Sequence, residues 1–267
     1  MLLLANDNGL SKQLIKRGYR ERGSVNEMKR ILGPGMHCLD LGANLGFYAL
    51  LEAKTVGDTG HVYAVEPVEK NFDTLNKNIA LNRYKNISTY NFAVGNYTGK
   101  AEMKISRRSN NGSLCPYSVP RELIGRISVS LITLKDFCCL AKVKKLDLIR
   151  MDVEGYETEV IKGLEAIQEF VSKKAYLSIE VHVGGTLKKK YGDRKLARAK
   201  YRAMCRAEKE KVPRSKQIFE MLDRLTGFGF NPYCYIASDR PVKVENNEEL
   251  KDKLNVGGTQ VFFRREI

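Results

Sequence analysis

One short stretch limits the possible folds more than any other. An apolar run from His37 to Leu41 leads directly into a glycine-containing turn, Gly42 to Gly46. Residues 47–55 then have helical character, and a second apolar run follows at 61–65. Glycine allows the backbone to turn tightly and to approach a ligand closely. A strand, turn, helix and strand in this order predict a parallel sheet with right-handed crossovers.

The same alternation continues along the chain. A helix is predicted over 69–82, and further strands are predicted at 87–94, 146–151, 175–181, 232–237 and 259–263. The expected fold is therefore α/β and Rossmann-like, with a mostly parallel seven-stranded sheet and helices on both faces. A late antiparallel strand is expected to close the sheet.

The pattern divides the chain into a lead-in and one main domain. Residues 1–35 are predicted to form a helical lead-in that ends at a Gly-Pro-Gly sequence, and residues 36–267 the main domain. The rhythm breaks at 96–135, where two strand-like pieces flank a polar middle, so we expect a hairpin-like insertion carrying a loop. Residues 187–216 predict a basic helical insertion.

The turn also carries information about a ligand. Asp40 precedes it, and Glu66 ends the second strand, where a carboxylate can accept hydrogen bonds from both ribose hydroxyls. This arrangement predicts a cofactor that contains adenosine. Asn44 stands where a pyrophosphate would favour glycine. The acid before the turn would repel pyrophosphate but suits the cationic amino group of S-adenosylmethionine, which is therefore the predicted cofactor.

Several motifs together resemble the FkbM family of methyltransferases, over roughly residues 20–183. They are Asp40–Gly46, Val65–Pro67, Asn78–Asn82, Thr133–Asp136, Asp152–Glu157 and Ile179–His182. Arg150 stands where the family usually has lysine, which keeps the charge but not a role that needs a neutral amine. The resemblance implies a class I methyltransferase fold and an O-methyltransferase that acts on a hydroxyl, most often of a sugar or glycoconjugate.

The resemblance also implies a set of cofactor-binding residues. Asp40, Gly42, Asn44 and Gly46 would hold the methionine part of the cofactor, and Glu66 would hold the ribose. Near the adenine we expect Asn91 and Ala93. Asp152 is expected to contact the cofactor or to orient the acceptor.

An alcohol must lose its proton as it accepts a methyl group, so a base or a metal is expected near the methyl group. Glu180 and His182 share one face of the fifth predicted strand, and Asp152 follows the fourth. We predict His182 as the general base, with Glu180 and Asp152 as further catalytic residues. These three residues could also form a metal site, but nothing in their spacing demands one, and no metal is predicted.

The net charge of +15 indicates an anionic partner or a solvated basic surface. Much of it lies in residues 187–216, for which three roles are open. The segment could cover the active site, bind an anionic lipid or a phosphorylated carrier surface, or bind RNA. Alternative functions are therefore an RNA methyltransferase and a module that binds S-adenosylmethionine without catalysis.

The cysteines and the apolar runs indicate the cellular compartment of the protein. Six cysteines without a CxxC pair are typical of reduced thiols in a cytoplasmic protein. No apolar run reaches the roughly 20 residues that span a bilayer. The sequence therefore predicts a cytoplasmic protein without a transmembrane segment, with peripheral attachment to a membrane as an alternative.

Overall fold

The computed structural model of the chain describes residues 1–116, 122–182, 214–254 and 258–266. The helices within them are α1 (Leu10–Arg17), α2 (Arg22–Ile31), α3 (Phe47–Val56), α4 (Glu69–Asn82), α5 (Leu134–Leu140), α6 (Glu157–Lys162), α7 (Arg214–Gly227) and α8 (Asn247–Lys253). The strands are β1 (His37–Leu41), β2 (His61–Val65), β3 (Ile87–Tyr90), β4 (Ala93–Gly95), β5 (Gly99–Ser106), β6 (Leu123–Thr133), β7 (Leu146–Met151), β8 (Val171–His182), β9 (Phe230–Ala237), β10 (Arg240–Lys243) and β11 (Gly258–Arg265).

The main sheet confirms the predicted α/β fold. Its strand order is β10-β9-β11-β8-β7-β1-β2-β3, and the five strands from β8 to β3 are parallel. β11 lies antiparallel between β8 and β9. The prediction of seven strands is wrong by one, because β10 pairs with β9 as an eighth, edge strand. Its four residues are all exposed, so no alternation of apolar and polar residues marked it in the sequence.

The central strands are buried on both faces, which explains their nearly continuous apolar sequences. Leu39, Leu41, Ile149 and Met151, on the neighbouring strands β1 and β7, are almost completely inaccessible to solvent. This packing fixes the carboxyl ends of β1, β7 and β8 relative to one another. The site described below lies at those ends.

The predicted strand at 87–94 is divided between two sheets. β3 belongs to the main sheet, whereas β4 pairs with β6 in a second sheet of order β4-β6-β5. β5 and β6 are antiparallel and form the hairpin of the 96–135 region. The chain changes sheet at Asn91, whose side-chain amide donates to the carbonyl oxygens of Glu66 (2.9 Å) and Pro67 (3.2 Å).

Most of the basic segment, residues 187–216, lies outside the described residues, so its predicted helical character stays a prediction. The 1–35 lead-in contains α1 and α2. Among the described residues, no helix is long and apolar enough to cross a membrane.

Candidate active site

The glycine turn after β1 has the backbone conformation that its sequence requires. Gly42 and Gly46 have φ values of +83° and +92°, a region that residues with a Cβ rarely adopt. A Cβ on Gly42 would overlap the carbonyl oxygen of Asp152, which follows β7. The turn therefore packs directly against the end of the neighbouring strand. Asn44 has a φ of +53°, a conformation that asparagine tolerates.

Glu66 is the buried acid at the end of β2. Its carboxylate accepts hydrogen bonds from the backbone amides of Asn44 and Val68, both at 2.9 Å, and from the Asn71 side chain at 3.3 Å. Burial raises the pKa of Glu66 to about 7, although these hydrogen bonds act in the opposite direction. The carboxylate thus joins the glycine turn to the start of α4 and lines the cleft between them.

A buried ion pair underlies the floor of the cleft. Arg150 Nη1 lies 2.8 Å from Asp40 Oδ1, and Nη2 lies 3.2 Å from Asp152 Oδ2. The guanidinium carbon is 4.0 Å from the centre of the Tyr48 ring, a cation–π contact. Burial opposes the charged guanidinium, but Asp40 and Asp152 hold the pKa of Arg150 above its ordinary value. The other oxygens of the two aspartates, Asp40 Oδ2 and Asp152 Oδ1, are buried without a hydrogen-bond partner.

Five of the predicted cofactor residues line one cleft, namely Gly42, Asn44, Glu66, Ala93 and Asp152. Its apolar walls include Phe92, Met103, Leu114 and Tyr156. Asp40 is completely buried and reaches the cleft only through Arg150, which lines it. Gly46 supports the turn, against Leu75. Asn91 lies outside the lining and holds the end of β2 through its hydrogen bonds to backbone oxygens.

The predicted catalytic residues meet at the carboxyl ends of β7 and β8. Met151 pairs with Ile179 in these parallel strands, which brings Asp152 and Glu180 to the same edge of the sheet. His182 Nδ1 lies 2.7 Å from Glu157 Oε1, and Nε2 lies 3.4 Å from Glu154 Oε2 and 3.7 Å from Glu180 Oε1. Asp152, Glu154, Glu157, Glu180 and His182 are called the acidic cluster below.

The charges of the acidic cluster bear on the predicted base. Although burial opposes it, the carboxylates of Glu157, Glu180 and Glu154 hold the pKa of His182 well above its ordinary value. These carboxylates therefore favour the doubly protonated form of the imidazole. In that form it cannot accept a proton from an acceptor, which counts against His182 acting alone as the general base.

Several residues of the site carried no clear signal in the sequence. Arg20, from the lead-in, lines the cleft and forms an ion pair with Glu21 at 2.5 Å. Glu157 was expected only at the start of a helix, yet it is completely buried and contacts His182. Its place in the Asp152–Glu157 motif was the one available clue. Arg20 lies in no motif, and only the packing of the lead-in brings it to the cleft.

The fold and the cleft together define a class I S-adenosylmethionine-dependent methyltransferase. The cofactor suits the residues present: Glu66 is a buried acid at the end of β2, Gly42 forms the tight turn beside it, and Asp152 places a carboxylate in the same cleft. The family model of the methyltransferase FkbM domain matches residues 40–231, and the chain belongs to that family. The family that the sequence motifs predicted is thereby confirmed.

Individual relatives are more distant. The chain is 25% identical to the hexuronic acid methyltransferase AglP of Haloferax volcanii over 54% of its length and 55% of that protein. It is 37% identical to a protein-L-isoaspartate O-methyltransferase of Methanothrix thermoacetophila over 21% of its length and 27% of that protein. The chain thus spans about half, or less, of these two curated relatives.

A solved structure supports the fold. A Clostridium thermocellum protein provisionally named an rRNA-methylase superposes with a TM-score of 0.51 at 10% identity, covering 91% of this chain and 94% of that one. At this identity the likeness concerns the fold alone. The fold expected of a class I methyltransferase is confirmed, with eight strands in place of seven.

Proposed function

We propose that the protein transfers a methyl group from S-adenosylmethionine to a hydroxyl oxygen of a sugar or glycoconjugate. One observation carries this proposal: the acidic cluster adjoins the cofactor cleft, and Asp152 and Glu154 belong to both. A neutral amine can accept a methyl group without prior loss of a proton, whereas an alcohol needs a group that takes its proton. Carboxylates and an imidazole beside the methyl group meet that need.

The cofactor carries the reactivity, and the protein supplies alignment and exclusion of water. In the proposed orientation Glu66 holds the ribose, and Phe92, Ala93 and Met103 surround the adenine. The acidic end of the cleft, near Asp152, holds the cationic methionine part. Asp40, Gly46 and Asn91 support these contacts from outside the lining of the cleft.

The reaction is an in-line displacement at the methyl carbon. The acceptor oxygen forms a bond to that carbon while the bond between carbon and sulfur breaks, and S-adenosylhomocysteine leaves. The hydroxyl proton passes to a base of the acidic cluster, for which Asp152, Glu180 and His182 are the proposed catalytic residues. Their position at the carboxyl ends of β7 and β8 is where α/β sheets commonly bind ligands and place reacting groups.

A polar rim favours a sugar over an apolar acceptor. Ser109, Asn110 and Glu154 line the cleft, and the Asn111 amide donates to Glu154 Oε2 at 3.2 Å. Amides, hydroxyls and carboxylates are the groups that bind sugar hydroxyls. The similarity to a hexuronic acid methyltransferase points the same way. The RNA and anionic-surface hypotheses depend on residues 187–216, and the described structure adds no support for them.

The proposal is tested with methyl-labelled S-adenosylmethionine and a panel of acceptors: hexuronic acids, neutral hexosides, lipid-linked glycans and transcribed RNA. We expect label in a glycan fraction, at an alkali-stable ether, and its loss in Glu66→Ala. Glu102→Gln, which alters an exposed ion pair with Arg126, should keep wild-type transfer. Label in RNA alone would contradict the proposal, as would an ester in place of an ether.

A further inference from the structure

We propose that Asp152, Glu180 and His182 bind a divalent first-row metal cation that positions the acceptor hydroxyl. The inference rests on the proposed function, because it identifies what activates the acceptor at the same site. It departs from the expectation drawn from sequence spacing, which required no metal.

The first observation is convergence. One ligand atom from each of Asp152, Glu180 and His182 lies within 4.8 Å of the other two. Ligands held at about 2.1 Å from one cation lie roughly 3 to 4 Å apart, so small side-chain rotations would close the site. Two of the three residues lie on β8 and the third directly follows β7, so a rigid sheet edge carries them all.

The second observation is the orientation of the imidazole. Nδ1 of His182 lies 2.7 Å from Oε1 of Glu157, and Nε2 is turned toward the carboxylates of Glu154 and Glu180. Glu157 is itself completely buried, and its Oε1 also accepts a hydrogen bond from the Gly155 amide at 2.8 Å. Histidines that bind metals commonly donate their other ring N–H to such a fixed carboxylate, which leaves Nε2 as the ligand atom.

The third observation is independent of the histidine. The Asp152 side chain is 10% exposed, and its Oδ1 is buried without a hydrogen-bond partner. A buried carboxylate oxygen with no partner is costly unless something binds it. Because Asp152 lines the cofactor cleft, a cation held there would lie beside the methyl group that is transferred.

The fourth observation is a concentration of carboxyl groups among the described residues of the site. The guanidinium groups of Arg20 and Arg150 pair with Glu21 and with Asp40 and Asp152. The carboxyl groups of Glu154, Glu157 and Glu180 lie around the imidazole of His182. A divalent cation would offset repulsion among these carboxylates at the point where a hydroxyl must lose a proton.

The ligand types indicate the class of metal. Two carboxylates with one imidazole suit Mn²⁺ or a similar first-row ion better than Ca²⁺, which favours a shell of oxygen ligands. Three protein ligands leave coordination positions open for an acceptor oxygen. A cation bound to that oxygen would lower the pKa of the hydroxyl, as it does for bound water.

The test is calorimetric titration of Mn²⁺ into the EDTA-dialysed full chain, with Ca²⁺ as the comparison ion. We expect one Mn²⁺ per chain with a micromolar dissociation constant, and weaker binding of Ca²⁺. Asp152→Asn, Glu180→Gln and His182→Ala should each weaken Mn²⁺ binding at least about 10-fold, as losses in metal sites commonly do. Glu159→Gln, on α6 but bonded to Asn96 and Lys162, is the matched control and should bind Mn²⁺ normally.

Binding of S-adenosylhomocysteine to the same metal-free samples separates the two proposals. Wild-type protein that binds S-adenosylhomocysteine but not Mn²⁺ would overturn the metal site and leave the proposed function standing. Mn²⁺ binding that survives all three substitutions would also overturn it, because the ion would lie elsewhere. One-site Mn²⁺ binding that fails only in the ligand variants would support it even if no acceptor were methylated, provided that Glu180→Gln and His182→Ala still bind S-adenosylhomocysteine.

Discussion

Arg150 and Asp40 form an ion pair that is almost completely removed from solvent. Nη1 of Arg150 lies 2.8 Å from Oδ1 of Asp40, and the two side chains are 4% and 0% exposed. The residues are 110 positions apart in the chain, on the neighbouring strands β7 and β1. Removing one partner of such a pair leaves an uncompensated buried charge.

Arg150→Met should therefore lower the free energy of unfolding by about 3–5 kcal/mol, as measured by urea denaturation. Arg150→Lys keeps the charge but not both contacts, so its decrease in unfolding free energy should be smaller than that of Arg150→Met. Arg126→Met is the control, because Arg126 and its partner Glu102 are more than half exposed. Its loss should stay below about 1 kcal/mol. Equal losses in the buried and exposed variants would contradict this interpretation of the pair.

Glu66 makes cofactor binding depend on pH. Burial raises its pKa to about 7, so the carboxylate loses its charge as the pH falls through that value. An ionised carboxylate accepts hydrogen bonds from two ribose hydroxyls, whereas the acid form accepts fewer. Affinity for S-adenosylhomocysteine should therefore decrease as the pH is lowered from 8 to 5.5. Binding near pH 6.5 should release protons, because the ligand favours the ionised carboxylate. Glu66→Gln should bind more weakly, with little change across this range.

The same shift has the opposite effect on the stability of the ligand-free protein. The folded pKa of Glu66, about 7, lies above the ordinary value of 4.5 for a glutamate, so the folded state holds more protons between these values. The contribution of Glu66 to the free energy of unfolding is then present below pH 4.5 and is lost as the pH rises toward 7. The free energy of unfolding of the wild type minus that of Glu66→Gln, measured as a function of pH, should decrease between pH 4.5 and 7. A difference that increases with pH would contradict this prediction.

Gly42 has two separate reasons to be glycine. Its φ is +83°, and a Cβ there would overlap the Asp152 carbonyl oxygen. Gly18 has a left-handed φ of +69° with no atom within 4 Å of a Cβ, so it isolates the conformational cost. Gly18→Ala should cost about 1–2 kcal/mol of unfolding free energy. Gly42→Ala should cost clearly more and also abolish S-adenosylhomocysteine binding; similar values for the two variants would exclude the overlap.

Glu52 is a buried acid on α3 whose two carboxyl oxygens have no hydrogen-bond partner. Burial, together with the charge of Asp40, holds its pKa well above the ordinary value. Glu52→Gln should therefore leave stability unchanged or raise it at pH 8. Glu27→Gln is the matched contrast, because Glu27 accepts hydrogen bonds from Arg30 (2.6 Å) and Tyr233 (2.8 Å). Glu27→Gln should lower the free energy of unfolding by about 1–3 kcal/mol. A larger decrease in Glu52→Gln would contradict the description of Glu52 as a buried acid without hydrogen-bond partners.

Local patterns in the sequence determined the parallel core, the glycine turn and the acid at the end of β2. A strand, a turn and a helix each depend on residues that are close together in the chain, so composition and spacing predict them. The FkbM motifs lie on these same elements, and the family match confirms them. The edge strand β10 is short and exposed, and for that reason it left no pattern to detect.

Only the tertiary structure decided which groups surround each charge. The sequence placed Glu180 and His182 on one face of a strand, but the three carboxylates around the imidazole come from α6, from the loop before it and from β8. Likewise, Asp40 faces Arg150 and not the cleft because two distant strands pair in one register. The pKa of a buried group depends on neighbours brought together by long-range packing, and no local spacing in the sequence encodes that arrangement.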